Sequence, residues 1–306
     1  MTSNPHPAAA LPEQLAAALS GRYLLEREVG QGGMATVYLA RGVHDRRPVA
    51  VKVMRPKVAD ALGAERFLRE IEIAREMAHP LIVPLYESGN AGGMLYYIMP
   101  YVEGESLYER LQREQRLPLD DALRITHDVA EALGYAHGRG VLHRDVKPEN
   151  ILLAGGRALV ADFGLARAIG AADYRRLTQT GVIVGTAHYM SPEQLREERD
   201  LDQRVDVYSL GCILYEMLTG APPYIGRSLM ELATRILQAP VPSVRRLDPD
   251  VPAAVDQAIS RALAKSAGDR LRSMEELGAA LPRPALGVTG SAAPAGRREG
   301  APHSSP

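Results

Sequence analysis

The string His143-Arg144-Asp145-Val146-Lys147-Pro148-Glu149-Asn150 is followed by Asp162-Phe163-Gly164, with Asp162 twelve residues after Asn150. Two acids and an amide thus stand at fixed spacing, with a lysine between them. These residue types suit phosphoryl transfer from a metal-bound nucleotide. One carboxylate accepts a hydroxyl proton, while a second carboxylate and an amide hold the cation. Such chemistry also needs an element that covers the phosphates and a cation that orients them.

Both have candidates upstream. Gly30-Gln31-Gly32-Gly33-Met34-Ala35-Thr36-Val37 is a Gly-rich turn, and Val37-Tyr38-Leu39-Ala40 continues it as a strand. A dinucleotide-binding loop would lead into a helix. A P-loop would need Gly-Lys-Ser/Thr, which is absent throughout. What remains is a hairpin whose backbone N–H groups can cover phosphates. In Val49-Ala50-Val51-Lys52, strand alternation aims Ala50 and Lys52 at one face, so Lys52 is the candidate for the phosphates. Glu70, eighteen residues on and within a predicted helix, is the expected ion-pair partner of Lys52. Glu65, Glu72 and Glu76 compete for that role.

The elements that must position these residues fall into two groups. A short helix is predicted over Glu13–Leu19. Tyr23–Val29, Val37–Arg41 and Val49–Val53 then form an antiparallel meander. A helix follows over Ala64–Met77, with Phe67, Ile71 and Ala74 at helical spacing, then strands over Ile82–Glu87 and Met94–Met99. Beyond this, helices dominate. Asp120 is the expected N-cap of a helix running to His137. Val205–Leu218, apolar nearly all round, is expected to be the central helix. Glu231–Leu237, Ala253–Ala264 and Met274–Leu281 complete the set. The two parts join near Pro100–Gly104. The fold class is α+β. Residues 1–20 form an Ala/Pro-rich segment, residues 21–282 the folded domain (N-lobe about 21–100, C-lobe about 105–282), and residues 283–306 a tail too poor in apolar residues to bury a core.

Composition narrows the class. The 306 residues are 46% hydrophobic and 24% charged, ordinary for a soluble domain. A net charge of −1 gives no field that would draw nucleic acid or an anionic membrane. One cysteine, Cys212, excludes an internal disulfide and a cysteine metal site, and its apolar surroundings predict a buried thiol. No stretch reaches the roughly 20 apolar residues needed to span a bilayer. The first twelve residues lack the features of a signal peptide. The expectation is a cytoplasmic protein with no membrane segment in this chain.

Taken together, these motifs resemble those of the eukaryotic-like (Hanks-type) Ser/Thr protein kinases of bacteria, over about Arg22 to Leu281. Besides the segments above, the resemblance rests on Ser191-Pro192-Glu193, Asp206-Val207-Tyr208-Ser209-Leu210-Gly211 and a late Asp269-Arg270. It implies a bilobal protein-kinase fold: an antiparallel β N-lobe with one main helix, and a mainly helical C-lobe. It implies that Asp145 accepts the proton of the substrate hydroxyl and that Lys147 offsets charge on the transferring group. Asn150 and Asp162 would hold the metal, with Lys52 and Glu70 as the catalytic ion pair. ATP would be covered by Gly30, Gln31, Gly32 and Gly33, with the adenine between Val37 and Ala50 above and Leu152 below. Met99, Pro100 and Val102 would line the hinge. Pro100 stands where many relatives carry Glu, and Ala35 replaces the loop's last glycine. The proline keeps the carbonyl this contact uses. The implied cofactors are ATP and Mg²⁺, with Mn²⁺ as the alternate metal.

The same resemblance gives Arg144 the role of binding a phosphothreonine in the activation segment, with Thr178 and Thr180 as the autophosphorylation sites and Tyr174 a weaker candidate. Thr186 would bond Asp145 and Lys147. Glu193 and Arg270 would form a buried ion pair, and Asp206 would accept hydrogen bonds from the backbone around His143. Implied partners are proteins bearing Ser/Thr acceptors, with a homodimer through the N-lobe as a further expectation and no nucleic acid. One rival is a pseudokinase, an ATP-binding scaffold of the same fold; such proteins lack one of the residues that stand here as Lys52, Asp145 and Asp162. Another is a small-molecule kinase of related fold, which would not need Ser191-Pro192-Glu193 or a Thr-bearing activation segment.

Overall fold

The computed structural model describes residues 12–163 and 186–284. Tyr174, Thr178 and Thr180 lie outside the described residues.

The N-terminal part is a five-stranded antiparallel sheet in the order β1-β2-β3-β5-β4, built from β1 (Tyr23–Gln31), β2 (Ala35–Gly42), β3 (Pro48–Met54), β4 (Glu87–Ala91) and β5 (Met94–Pro100). Strand alternation sorts its side chains into two layers. Val49, Val51, Val53, Tyr96 and Ile98 face outward, where α1 (Glu13–Leu19) covers them with fully buried Leu15 and Leu19. Ala50, Met54, Leu95, Tyr97 and Met99 face inward and join a core that continues into the helical part. Lys52 lies on β3 with Tyr97 as its registered partner on β5.

Two helices cross the inner side, α2 (Pro56–Leu62) and α3 (Ala64–Arg75). Proline at the first turn starts α2 without losing a hydrogen bond, because the first N–H groups of a helix have no partner within it. On α3, Phe67, Glu70, Ile71 and Ala74 make the buried stripe. The expected strand over Ile82–Glu87 is corrected: the strand begins only at Glu87. Pro84 cannot donate to a ladder. Instead, Val83 N–H donates to Val160 O at 2.9 Å and Val160 N–H to Leu81 O at 2.8 Å. This segment therefore ties the two parts together.

The helical part holds α4 (Leu107–Glu114), α5 (Leu119–His137), α6 (Pro192–Leu195), α7 (Arg204–Thr219), α8 (Leu229–Gln238), α9 (Ala253–Ala262) and α10 (Met274–Ala280). A small sheet of β6 (Glu105–Ser106), β7 (Ile151–Ala154) and β8 (Arg157–Val160) lies at its upper edge. Pro118, not Asp120, precedes the first turn of α5 without a side-chain cap; Asp120 lies within that turn, near the positive end of the helix dipole. The sequence reading missed α4, which opens on a capping box. Glu109 N–H donates to Ser106 Oγ at 3.2 Å, and Ser106 N–H donates to Glu109 Oε2 at 2.7 Å. Helix α7 is buried almost throughout, as its all-round apolar sequence requires. Its Gly211 lets α9 approach closely: a Cβ there would lie 2.8 Å from that of Ala262.

Candidate active site

The loop from Val141 to Lys147 is fixed from beneath by Asp206, near the start of α7. This carboxylate is fully buried. Its Oδ2 accepts from His143 N–H at 2.9 Å and from the His137 ring at 2.7 Å, and its Oδ1 accepts from Arg144 N–H at 2.8 Å. Burial alone would push the Asp206 carboxyl up. The His137 hydrogen bond and charge, with the loop's backbone donors, outweigh burial and hold it below the usual carboxylate range. Arg144 adopts φ 64°, a left-handed conformation uncommon for a side-chain-bearing residue, which these bonds stabilise.

His143 is a core residue, as expected. Its Nδ1 accepts from Asp145 N–H at 3.2 Å, so Nε2 carries the proton and donates to Ala161 O at 2.9 Å. Its ring packs against Phe163 with centroids 4.6 Å apart. One imidazole thereby couples the loop bearing Asp145 to the segment bearing Asp162.

Above this support the polar residues converge. Lys147 Nζ donates to Asp145 Oδ2 at 2.8 Å. Asn150, in the short turn Pro148–Asn150, donates from Nδ2 to Asp145 O at 2.9 Å, which turns its Oδ1 away as a hard oxygen ligand. Asp145, Lys147, Asn150 and Asp162 are all buried. Burial draws the Lys147 ammonium down, but Asp145, Glu149 and Asp162 outweigh it and leave it raised.

Asp162 follows β8, whose backbone is tied to Leu81–Val83, and has φ 68°. Lys52 Nζ donates to its Oδ2, and the Tyr97 hydroxyl donates to its Oδ1. Burial would raise this carboxyl; the Lys52 charge and both hydrogen bonds outweigh that and lower it.

The expected Lys52–Glu70 ion pair is corrected: among the described residues Lys52 pairs with Asp162 and not with Glu70. Asp162 lies across the seam directly opposite Lys52, and a buried charge is costly unless paired. Glu70 borders a cavity with Ile73, Ala74, Val141 and Arg144.

The rest of the expected nucleotide site lies along one seam. Gly30 pairs with Val37 and Gln31 with Thr36, and Gly32 N–H donates to Ala35 O at 2.9 Å to close the hairpin. Gly33 lies in the same turn. Ala50 pairs with Met99 and Val49 with Pro100, so β3 starts beside the hinge. Val102 and Leu152 are half-buried, and Leu152 sits under the hinge because β7 pairs with β6. Sequence reasoning missed Tyr97 and His137. The inward alternation Leu95, Tyr97, Met99 was the available signal for the first; nothing pointed to the second.

A strand-rich lobe thus stands over a helical one, with paired acids and lysines at the seam between them, which is a bilobal architecture. Residues 23–278 match the family described as protein kinase domain, and the chain belongs to that family. It is similar to the serine/threonine-protein kinase PknB of Mycobacterium leprae, 42% identical over 272 residues, covering 87% of this chain and 43% of the relative. PknB of Mycolicibacterium smegmatis is 43% identical over 272 residues, with 87% and 43% covered. PrkC of Bacillus subtilis is 39% identical over 261 residues, with 85% and 40% covered. The chain thus spans less than half the length of these curated relatives.

The family uses ATP and a divalent metal. The donor set fits such a group. Asp162 and Asn150 offer hard oxygens, and a cation of the Mg²⁺ kind is held by one or two protein ligands together with substrate phosphates and water. Among the described residues no helix is long and apolar enough to cross a membrane.

Proposed function

We propose that this chain transfers the γ-phosphoryl of Mg-ATP to Ser or Thr hydroxyls of proteins. The observation that carries the reading is the convergence at one buried seam of Asp145, Lys147 and Asn150 from a backbone-fixed loop with Asp162 and Lys52. The relatives named as serine/threonine-protein kinases support the acceptor type.

The acceptor hydroxyl gives its proton to Asp145 as its oxygen bonds to the γ-phosphorus. The bond from that phosphorus to the β–γ bridging oxygen breaks, and ADP leaves with the electron pair. Lys147, held at 2.8 Å from Asp145, faces the charge on the transferring group. Asp162 and Asn150 would hold the divalent metal, Mg²⁺ or Mn²⁺, which would supply neutralisation of phosphate charge. Lys52, paired with Asp162 across the seam, orients the phosphates. Thr178 and Thr180 are the autophosphorylation sites, read by Arg144.

Wild type and Asp145→Asn incubated with Mg-ATP and a generic protein acceptor test this reading. Phosphoserine and phosphothreonine should form far more slowly with the variant than with the wild type. Equal incorporation by both would remove Asp145 from the chemistry.

A further inference from the structure

We infer that the Tyr97 phenol is a positioning residue for the metal site, holding the Asp162 carboxylate in place while Lys52 transfers to the nucleotide. The inference rests on the proposed role of Asp162 as a metal ligand.

Lys52 and Tyr97 are registered partners on β3 and β5, and their side chains converge on the same carboxylate, one oxygen each. The two donors differ in what else they can do. Lys52 is a flexible cation that phosphates can draw away. Tyr97 is wholly buried, in the inner layer with Leu95 and Met99. Its ring packs near Phe67 of α3, with centroids 6.4 Å apart. Leu, Ile or Met would fill that volume at no polar cost, whereas a buried phenol is costly unless its hydroxyl finds an acceptor. Asp162 is that acceptor.

A carboxylate oxygen has lone pairs enough to receive a phenol and still face a cation. Groups that hydrogen-bond a ligating carboxylate fix its orientation. Asp162 has particular need of this, since its φ of 68° is an uncommon conformation for a residue with a side chain. Tyr97 is therefore the donor that stays when Lys52 leaves.

Tyr97→Phe removes one oxygen and keeps the ring. Binding of a fluorescent ATP analogue, measured with Mg²⁺ and with EDTA, separates the metal-dependent part of the affinity from the rest. Mn²⁺ binding in the presence of nucleotide, followed by electron paramagnetic resonance, gives a second readout independent of turnover. We expect Tyr97→Phe to weaken metal-dependent binding by about 10- to 100-fold with metal-free binding unchanged. Tyr97→Met, which fills the space without a polar atom, should share the defect. Tyr96→Phe, on the outer face of the same strand, should not. Wild-type or tighter metal dependence in Tyr97→Phe would overturn the proposal. Asp162→Asn separates the two levels. If it retains metal-dependent binding, the metal-site reading falls and takes the proposal with it; if it loses that binding while Tyr97→Phe does not, only the role of Tyr97 falls.

Discussion

Asp206 is a charge with no access to water that organises chemistry it never touches. Its oxygens accept from His143 N–H, Arg144 N–H and the His137 ring, and so shape the loop that presents Asp145. Asp206→Ala leaves those donors buried without an acceptor. We expect a loss of about 3–5 kcal/mol in stability, read from denaturant midpoints. Because its carboxyl is held below the ordinary value of 3.8, its contribution is present above that pH and is lost as pH falls through the lower folded value. The acid limb of the wild-type stability curve should therefore flatten in the variant. Glu216 behaves oppositely. Burial raises it to about 7, the Tyr189 hydroxyl at 2.6 Å offsets part of that rise, and Glu149 adds to it. It favours the fold while protonated, and that advantage is lost as pH climbs from 4.5 through about 7. Glu216→Gln should lose less melting temperature between pH 5 and pH 8 than the wild type; an unchanged slope would contradict the assignment. At this scale the sequence revealed what motif spacing encodes, namely the grouping of Asp145, Asn150 and Asp162 and the backbone donors of His143 and Arg144 to Asp206, but not the His137 ring. It did not reveal which carboxylate holds Lys52, because that depends on how α3 sits against the sheet.

Elements were legible in proportion to the length of their patterns. Helices α5 and α7 carry long apolar repeats and fell within two residues of expectation. The three-stranded sheet of β6, β7 and β8 did not, because strands of two to four residues offer no alternation to count. Helix α4 had a signal that went unused, the Ser106 and Glu109 spacing of a capping box. The segment from Ile82 reads as a strand by its apolar content, but residues 81–83 bond instead to β8, an outcome fixed by tertiary pairing. Close packing between elements gives the test at this scale. Gly211 on α7 faces Ala262 on α9, and an added Cβ would sit 2.8 Å from its neighbour. Helix backbones cannot yield as a flexible side chain would, so Gly211→Ala should cost about 1–3 kcal/mol. Thermal melting reads this, and an unchanged melting point would show that α9 can move aside.

At the scale of the molecule, two differently built lobes supply different halves of the proposed active site. The sheet offers Lys52 and the Gly-rich hairpin from strands stiffened by α1 on the outside and by the common core within. The helical lobe offers Asp145, Lys147 and Asn150 from a loop pinned to its most buried helix. Asp162 stands between them, bonded to the sheet through Lys52 and Tyr97 and to the helical lobe through its own chain. The bilobal plan was legible in the sequence because strand and helix periods segregate cleanly along the chain. The seam was not, because no local pattern records how two lobes meet. The central claim is that this seam performs transfer and does not merely hold nucleotide. The most direct measurement follows nucleotide affinity and single-turnover phosphate transfer in parallel for the wild type and Asp145→Asn. Equal affinity is expected, with a transfer rate lowered by roughly 10²- to 10⁴-fold in the variant. Equal transfer rates, or a wild type that binds nucleotide and transfers nothing to a protein acceptor, would contradict it.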